Sequence, residues 1–479
     1  MRSAMNPVKI AAASSLALLL LSACAVGPNY TPPHLALADA FHAAPPSQQA
    51  AAVPLKTWWT AFNDPGLERV VERVRGQNLD IAQAAARVSQ SRAAAKAAGA
   101  ALLPTISGQG DVSYTQQSLQ SPIGEIGQHI QGFERDYPLY EAGVAASWEI
   151  DLFGGLRRAH EAAKADAVAD IDRTEAVRVA MTAEAADAYL NARGLQARLD
   201  VARRQEGVQQ DLAALLRRQV GEGVAPEREL HQAQAALQDV SASIPPLVSA
   251  LEAQFNRLDV LMGAQPGTYR AELEAPAAIP AAPAVATADG PAALLRRRPD
   301  VLAAEQRLVA SNARIGAAIS DYYPKVSLAG LFGGQSIDSR SVFAAGAIQN
   351  QVGAAVSWRL FDFGRVDAEV AAARGKQAED LAAYRLTVLH ATEEVENAFT
   401  DLNQQQSRAA SLAREVDELT AARGQAQQAY EEGVLSLIEV RDVDRNLLTA
   451  SDQLAQARAG AARAAVAVFR ALGGGWGQA

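Results

Sequence analysis

The sequence contains few of the residues that build a compact aromatic core or a disulfide-bonded domain. Its 479 residues include one cysteine, Cys24, so no disulfide can form within the chain. Aromatic residues make up only 5% of the chain, whereas alanine, glutamine, glutamate and arginine are abundant. That composition favours long helices. The net charge of −9 also lacks the basic excess of a nucleic-acid-binding protein.

Motifs of the common catalytic and nucleotide-binding sites are missing as well. The six histidines are scattered, and none belongs to an H-E-x-x-H metal motif. The stretch "GEGVAPER" at 221–228 lacks the lysine of a phosphate-binding loop, and no G-x-S-x-G nucleophile motif occurs. We therefore expect no enzyme activity, no metal ion and no cofactor. We expect the terminal "GGGWG" at 473–477 to be a loose tail.

Residues 1–23 have the order of a secretory signal peptide, with two basic residues before a short apolar run at 10–21. This run is too short to span a bilayer as a helix. The "LSAC" at 21–24 resembles a bacterial lipobox, which implies cleavage before Cys24, a diacylglycerol thioether on its sulfur and an amino terminus acylated, for example, with palmitate. The alternative is an ordinary signal peptide in which Cys24 is incidental. Ala25 stands where aspartate would favour the inner membrane, so the outer membrane is expected.

The chain repeats itself. The motif "SWEIDLFG" at 147–154 returns as "SWRLFDFG" at 357–364, an offset of 210 residues. Residues 78–93 align with 298–313 at an offset of 220. Internal similarity over such lengths indicates two copies of one structural unit. The two structural repeats are 65–262 and 300–472.

Each repeat contains two stretches of alternating apolar and polar residues, the pattern of β-strands. They are long for a globular protein and long enough to cross a bilayer when tilted. The alternation alone favours a sheet with one face on a soluble core, but aromatic residues gather near the strand ends, as they do at membrane interfaces. No run of 18 apolar residues follows the signal peptide, so no transmembrane helix is predicted. The predicted strands are 106–115, 140–152, 325–334 and 351–362, and the predicted aromatic girdle is Tyr140, Trp148, Phe153, Trp358, Phe361 and Phe363.

Long helices are predicted after the strands. Proline is absent between Pro138 and Pro226 and again after Pro324, which allows one uninterrupted helix of roughly 100 Å in each repeat. Ten consecutive heptad positions from Val440 to Ala471 are apolar, a coiled-coil pattern. The Pro245-Pro246 pair is expected to split the first return segment into two helices. The predicted long helical segments are 155–219, 226–262, 365–431 and 436–472.

Four strands per chain cannot close a barrel, and open strand edges are not tolerated in lipid. Two chains would supply eight strands, and side chains would fill the interior of so small a barrel. Three chains would supply twelve, which leaves a lumen, and cyclic symmetry closes the ring. A hollow barrel continued by helices is a duct. A periplasmic coiled-coil scaffold lipoprotein is the alternative, but it would explain the helices and not the paired strands.

The order of the motifs resembles one family. The lipobox followed by "CAVGPNYTPP", the paired "SW" motifs and "LRRQVGEGVAPERELHQAQAAL" at 216–237 closely resemble outer membrane factors of the TolC/OprM type, and in particular the NodT-like lipoproteins of RND efflux systems. The resemblance implies a mainly α fold of long antiparallel coiled-coil helices with four transmembrane strands per chain. It implies a homotrimer with a twelve-stranded β-barrel and a periplasmic helical tunnel. An equatorial domain would comprise the lipidated segment 24–64, the joint 263–299 and the tail 473–479.

The same resemblance implies a passive duct in the cell outer membrane that extends into the periplasm and exports drugs or other small molecules. Its partners would be a periplasmic adaptor (membrane fusion) protein and a proton-driven RND transporter of the inner membrane, with outer membrane lipid around the barrel. The alternative is a type I secretion duct that passes proteins from an ABC transporter. The lipobox and the strand motifs favour the RND system.

Two helix-turn-helix tips, 219–229 and 430–445, are implied to form the closed periplasmic entrance and to receive the adaptor. Structural turns without docking are the alternative, and their glycines are expected to let the chain reverse. Asp442 aligns with the family's constricting aspartate, although an ordinary exposed helix position would carry the same residue. Ala429 stands where relatives often carry an arginine beside the gating tyrosine. The candidate gate residues are Asp442, Tyr430, Arg441 and Arg445, and the candidate docking residues are Gly221, Gly223, Val224, Gly433, Val434 and Ser436.

Overall fold

A computed structural model describes residues 25–43, 54–285 and 290–477. Cys24 and the expected signal peptide therefore lie outside the described residues. Helices dominate the described part of the chain. Its strands are β1 (Thr105–Gln116), β2 (Asp136–Ile150), β3 (Lys325–Ser336) and β4 (Ile348–Ser357). Its α-helices are α1 (Pro65–Gln77), α2 (Leu79–Ala100), α3 (Pro122–Gly127), α4 (Gly155–Gly221), α5 (Glu227–Leu261), α6 (Arg270–Leu273), α7 (Leu294–Arg297), α8 (Pro299–Ser320), α9 (Arg365–Glu431) and α10 (Leu437–Ala471).

Helices α4 and α9 each contain 67 residues. At a rise of 1.5 Å per residue, each is roughly 100 Å long. Neither has a proline in its sequence, so no backbone hydrogen bond of the ladder is lost. Among the described residues, no helix combines the length and hydropathy that a membrane span requires.

The four strands form one antiparallel sheet in the order β1-β2-β3-β4. Its two hairpins have equivalent registers: Thr105 lies opposite Ser147, and Lys325 lies opposite Ser357. Strand β2 begins earlier and ends earlier than the predicted 140–152. Strand β4 ends at Ser357, where its pairing with β3 ends, so the second half of the predicted strand 351–362 lies mostly beyond it.

The chain divides into two compact units. The first comprises the described residues 25–33, 89–168 and 305–383 and holds the sheet. Small side chains let its helices α4 and α8 approach closely. The buried contact between them consists of Ala162, Ala165, Ala310 and Ala313.

The second unit comprises the described residues 34–43, 54–88, 169–285, 290–304 and 384–477. Its core contains an aromatic cluster in which the buried Trp58 stacks on Phe469 with ring centroids 5.3 Å apart. Trp59 meets Trp58 edge to face at 5.8 Å. These large rings bury much apolar area in a chain with few aromatic residues.

The prediction that 473–477 is a loose tail is wrong. The Gly475 amide donates to the Leu55 carbonyl at 2.8 Å, and the Gly475 carbonyl accepts from Arg75 Nη1 at 2.6 Å. Trp476 Nε1 donates to the Arg297 carbonyl at 2.8 Å. A Cβ at Gly474 would lie 2.9 Å from the Trp58 ring, so glycine is required for the segment to pack against the aromatic cluster.

The expected break at Pro245-Pro246 is also wrong, because α5 continues through both prolines. Each proline removes one backbone donor from the helix. The part of α5 that follows is held by burial of Leu251, Phe255 and Leu258. Packing therefore outweighs the lost hydrogen bonds.

Candidate functional site

The two predicted helix-turn-helix tips have the same backbone conformation. In the first tip, the Val224 amide donates to the Gln219 carbonyl at 2.8 Å and the Gly223 amide to the Val220 carbonyl at 3.0 Å. In the second, the amides of the residues 210 positions later make the equivalent bonds, at 2.8 and 3.0 Å. These paired bonds are a Schellman motif, which satisfies the last carbonyls of a helix. The repeat thus extends to individual hydrogen bonds.

One glycine in each tip has a conformation that side chains disfavour. Gly223 and Gly433 both have a φ of +75°, in the left-handed region. Gly221 does not share this role, because it is the last residue of α4 and is not among the glycines with positive φ. Its counterpart in the second repeat is Glu431, which carries a side chain. The expectation that Gly221 helps the chain to reverse is therefore wrong.

The tips differ in how the return helix begins. Ser436 caps α10 in a capping box: its amide and its hydroxyl both bond to Glu439 Oε2, at 2.9 and 2.8 Å. The backbone bond from Ser436 lowers the pKa of Glu439 below its ordinary value. The equivalent residue in the first tip is Pro226, which makes no side-chain cap bond. The return helix of the second tip is consequently capped by side-chain hydrogen bonds that Pro226 does not make in the first tip.

Within the second unit, one side chain of the second tip packs against the first repeat. Leu437 of the second tip packs against an apolar cluster of the first repeat whose buried members are Ala213, Leu216 and Ala233. Val224 and Val434 point away from the protein, and each is 73% exposed. Each tip therefore presents one apolar side chain to solvent at the equivalent position.

The structure pairs two of the four candidate gate residues. Arg445 Nη2 lies 3.7 Å from Asp442 Oδ1, one turn away on α10, and both side chains are mostly exposed. Tyr430 is half-buried near the end of α9. Arg441 is half-buried, and its Nε makes no hydrogen bond with the described residues. An exposed pair at this distance contributes little energy on its own.

A stronger ion pair near the second tip was missed by the sequence analysis. Arg423 Nε on α9 donates to Asp444 Oδ1 on α10 at 3.1 Å, and the Asp444 side chain is mostly buried. The two residues lie at nearly equal distances from Gly433 along the chain, as cross-helix partners in a hairpin do. That spacing was a signal available in the sequence. The first repeat has Ala213 and Gln234 at the equivalent positions, so the pair is specific to the second tip.

The segment that follows Cys24 is bound to the first unit. Arg158 is buried, and it donates to the Val26 carbonyl at 3.2 Å and to Asn29 Oδ1 at 2.7 Å. The Val26 amide donates to the Phe153 carbonyl at 3.0 Å. Asn312 donates to the Pro28 carbonyl at 3.0 Å. The described residues that follow Cys24 are thereby held next to the end of β2.

The predicted girdle residues lie in or just beyond the strands. Trp148 Nε1 donates to the Leu102 carbonyl at 2.9 Å, and Trp358 Nε1 donates to the Tyr322 carbonyl at 3.0 Å. Trp148 lies within β2 and Trp358 directly follows β4. Each indole therefore bonds to a residue that precedes the partner strand. Tyr140 lies within β2, Phe153 stacks on Tyr323 with centroids 4.5 Å apart, and Phe361 and Phe363 are exposed beyond β4.

Comparison with known proteins gives consistent matches along both repeats. The family model described as outer membrane efflux protein matches residues 70–264 and 291–474. The chain is 31% identical over 450 residues to the pyoverdine export outer membrane protein OpmQ of Pseudomonas putida, covering 93% of this chain and 94% of that protein. It is 28% identical over 464 residues to nodulation protein T of Rhizobium leguminosarum bv. viciae, covering 97% and 93%.

A solved structure has the same fold. The outer-membrane channel OprN aligns with a TM-score of 0.85 and 33% identity, over 95% of this chain and 100% of that one. The fold class expected from the resemblance is confirmed by this alignment together with the family match.

The tip conformation predicts opposite effects for two neighbouring glycines. Gly223→Ala forces a Cβ into the left-handed region and should lower stability by about 1 kcal/mol. Gly221→Ala adds a better helix former in α4 and should raise stability by up to about 1 kcal/mol. Thermal unfolding of the two purified variants measures the difference. A Gly223→Ala protein as stable as Gly221→Ala would contradict the assigned turn.

Proposed function

The chain belongs to the outer membrane efflux protein family, and on this premise we propose that three copies form the passive exit duct of a tripartite efflux system. The chain is an outer membrane efflux channel that extends into the periplasm. The four-stranded sheet, whose edge strands β1 and β4 have no further strand partner among the described residues, carries the trimer proposal. Such a sheet can cross a bilayer only after other copies close it into a barrel. We infer that the duct works without catalysis.

The partners we propose are a periplasmic adaptor protein and an RND transporter in the inner membrane. Because the channel has no energy source of its own, the transporter would supply the driving force. The cargo we propose is small molecules, selected by the transporter. Pyoverdine export is stated in the name of OpmQ, and at 31% identity that supports the class of cargo and not the compound.

We further propose that Cys24 carries the lipid. Support comes from the residues that follow it, because Arg158 and Asn312 bind that segment beside the end of β2. Two or more acyl chains make anchoring durable, since each buried methylene adds about 0.8 kcal/mol.

Mass spectrometry of the mature amino-terminal peptide tests the lipid anchor. We expect a peptide that begins at Cys24 and carries acyl mass, and we expect Cys24→Ser to lose that mass. An unmodified Cys24, or a mature chain that begins elsewhere, would contradict the anchor.

The tips are proposed to receive the adaptor. Val224 and Val434 offer exposed apolar side chains at equivalent positions, and buried apolar contacts at the centre of an interface supply much of its affinity. Val434 is the better position for a probe, because Ser436 is engaged in capping α10.

A photo-crosslinker at Val434 in intact cells identifies the partner. We expect capture of an RND-type adaptor. A crosslinker at the exposed Glu415, roughly 24 Å before the end of α9, is the matched control and should capture less. Capture of an ABC-linked adaptor would move the function to protein secretion, and no periplasmic partner would contradict docking at the tips.

The second tip is proposed to restrict the entrance. Arg423 and Asp444 join α9 to α10 through a partly buried ion pair. Asp442 contributes one exposed carboxylate per subunit, and three such charges near a threefold axis would repel one another and favour cations.

Conductance of the closed trimer in a planar bilayer tests both residues. We expect Asp444→Ala to raise it most, because the variant removes a cross-helix contact and leaves Arg423 without this partner. Asp442→Ala should raise it less. Glu431→Ala, an exposed tip variant, should leave it unchanged. Unchanged conductance in a variant removes that residue from the gate.

A further inference from the structure

Two ion pairs join α4 of the first repeat to α10 of the second repeat within the second unit. Arg463 Nε donates to Asp187 Oδ1 at 2.8 Å. Arg198 donates through Nε and Nη2 to the two carboxylate oxygens of Asp452, at 2.7 and 3.1 Å. From the first pair to the second, the residue number rises by 11 on α4 and falls by 11 on α10. The two helices therefore run antiparallel in a constant register.

The register predicts a third contact. Eleven residues span about three turns of an α-helix, so positions 11 apart lie on nearly the same face. One further step reaches Gln209 on α4 and Arg441 on α10. A neighbouring contact follows the same register, because Leu437, one turn before Arg441, packs against a cluster that includes Ala213, one turn after Gln209. Gln209 therefore lies opposite Arg441.

Both side chains at this third position have a buried polar atom without a hydrogen-bond partner among the described residues. Gln209 is 5% exposed, and its Oε1 accepts no hydrogen bond there. Arg441 is half-buried, and its Nε donates none. Burial of an unpaired donor or acceptor is unfavourable, and native proteins pair nearly all such groups. An unpaired acceptor and an unpaired donor on facing helices complement each other.

We propose that Gln209 Oε1 accepts a hydrogen bond from Arg441 Nε, and that Gln209 is thereby a positioning residue for the second tip. Arg441 lies near the start of α10, four residues after Leu437 and next to Asp442. A bond to α4 at this point holds the part of α10 that carries Asp442. The proposal rests on the proposed entrance gate and adds the contact that fastens its second tip to the first repeat.

The third contact differs from the other two in strength. The ion pairs add attraction between opposite charges to their hydrogen bonds, whereas Gln209 offers Arg441 a neutral oxygen. The contact nearest the tip is consequently the one that separates most easily. The second tip can then move away from α4 while Arg198 and Asp452 hold the rest of α10 in place.

The series of three contacts is not repeated by the internal duplication. Adding 210 to the α4 positions and subtracting 210 from the α10 positions gives pairs without complementary charges. These pairs are Asn397 with Ala253, Arg408 with Ala242, and Leu419 with His231. The series therefore distinguishes α4 and α10 from their repeat counterparts, as expected of a feature that serves the second tip alone.

Thermal unfolding of the purified full-length protein tests the contact. Gln209→Glu places a carboxylate beside Arg441 and should raise the midpoint of unfolding. In an Arg441→Gln background the same carboxylate is buried without a cation, so Gln209→Glu should lower the midpoint. Gln210 is the exposed neighbour on α4, and Gln210→Glu should leave the midpoint unchanged in both backgrounds. Equal effects of Gln209→Glu in the two backgrounds would overturn the contact.

Conductance of the closed trimer in a planar bilayer tests the positioning role. Gln209→Leu removes the acceptor at similar size and should raise the conductance, whereas Gln209→Glu should lower it. Gln210→Leu is the matched control and should not change it. If Asp444→Ala raises the conductance and Gln209→Leu does not, the positioning role is overturned and the gate remains. If neither variant changes it, the gate is contradicted and the positioning role falls with it.

Discussion

Unpaired strand edges cannot remain in a lipid bilayer, and the rest of this structure depends on that constraint. The donors and acceptors along β1 and β4 must find partners, because no water is available in the bilayer to bond them. A chain with four strands has to obtain those partners from other copies. Internal duplication makes such pairing between copies possible without a second type of interface. The geometry that joins β2 to β3 within a chain can also join β4 to β1 between chains.

The two repeats share a backbone but have diverged in side chains. Both tips contain the same Schellman motif and the same positive-φ glycine. Only the second tip combines the capping box of Ser436 with the Arg423–Asp444 pair, among the described residues. Similarly, Arg158 binds the segment after Cys24, while its counterpart in the second repeat is Ala368. Duplication thus supplies the shared backbone, and substitutions in one copy supply the Arg158 contacts to the segment after Cys24 and the Arg423–Asp444 ion pair.

Much of this fold could be predicted from the sequence because its signals are local and repeated. Alternation locates the strands, and the lack of proline between Pro138 and Pro226 allows a helix as long as α4. Two of the wrong predictions, the loose tail and the break at Pro245-Pro246, failed because of packing between distant parts of the chain. Gly474 and Gly475 have no structural signal in the sequence, but they fit against Trp58, which is more than 400 residues away. Burial of Leu251 and Phe255 keeps α5 intact past two prolines. Such long-range packing leaves no local pattern, whereas the Arg423–Asp444 pair could have been found from the hairpin geometry.

A single-particle cryo-EM reconstruction of the purified full-length protein would test the central claim most directly. The account predicts threefold symmetry and a closed sheet of twelve strands, with β4 of each copy beside β1 of the next. A closed ring with another number of chains, or a sheet that remains open at β1 and β4, would contradict it.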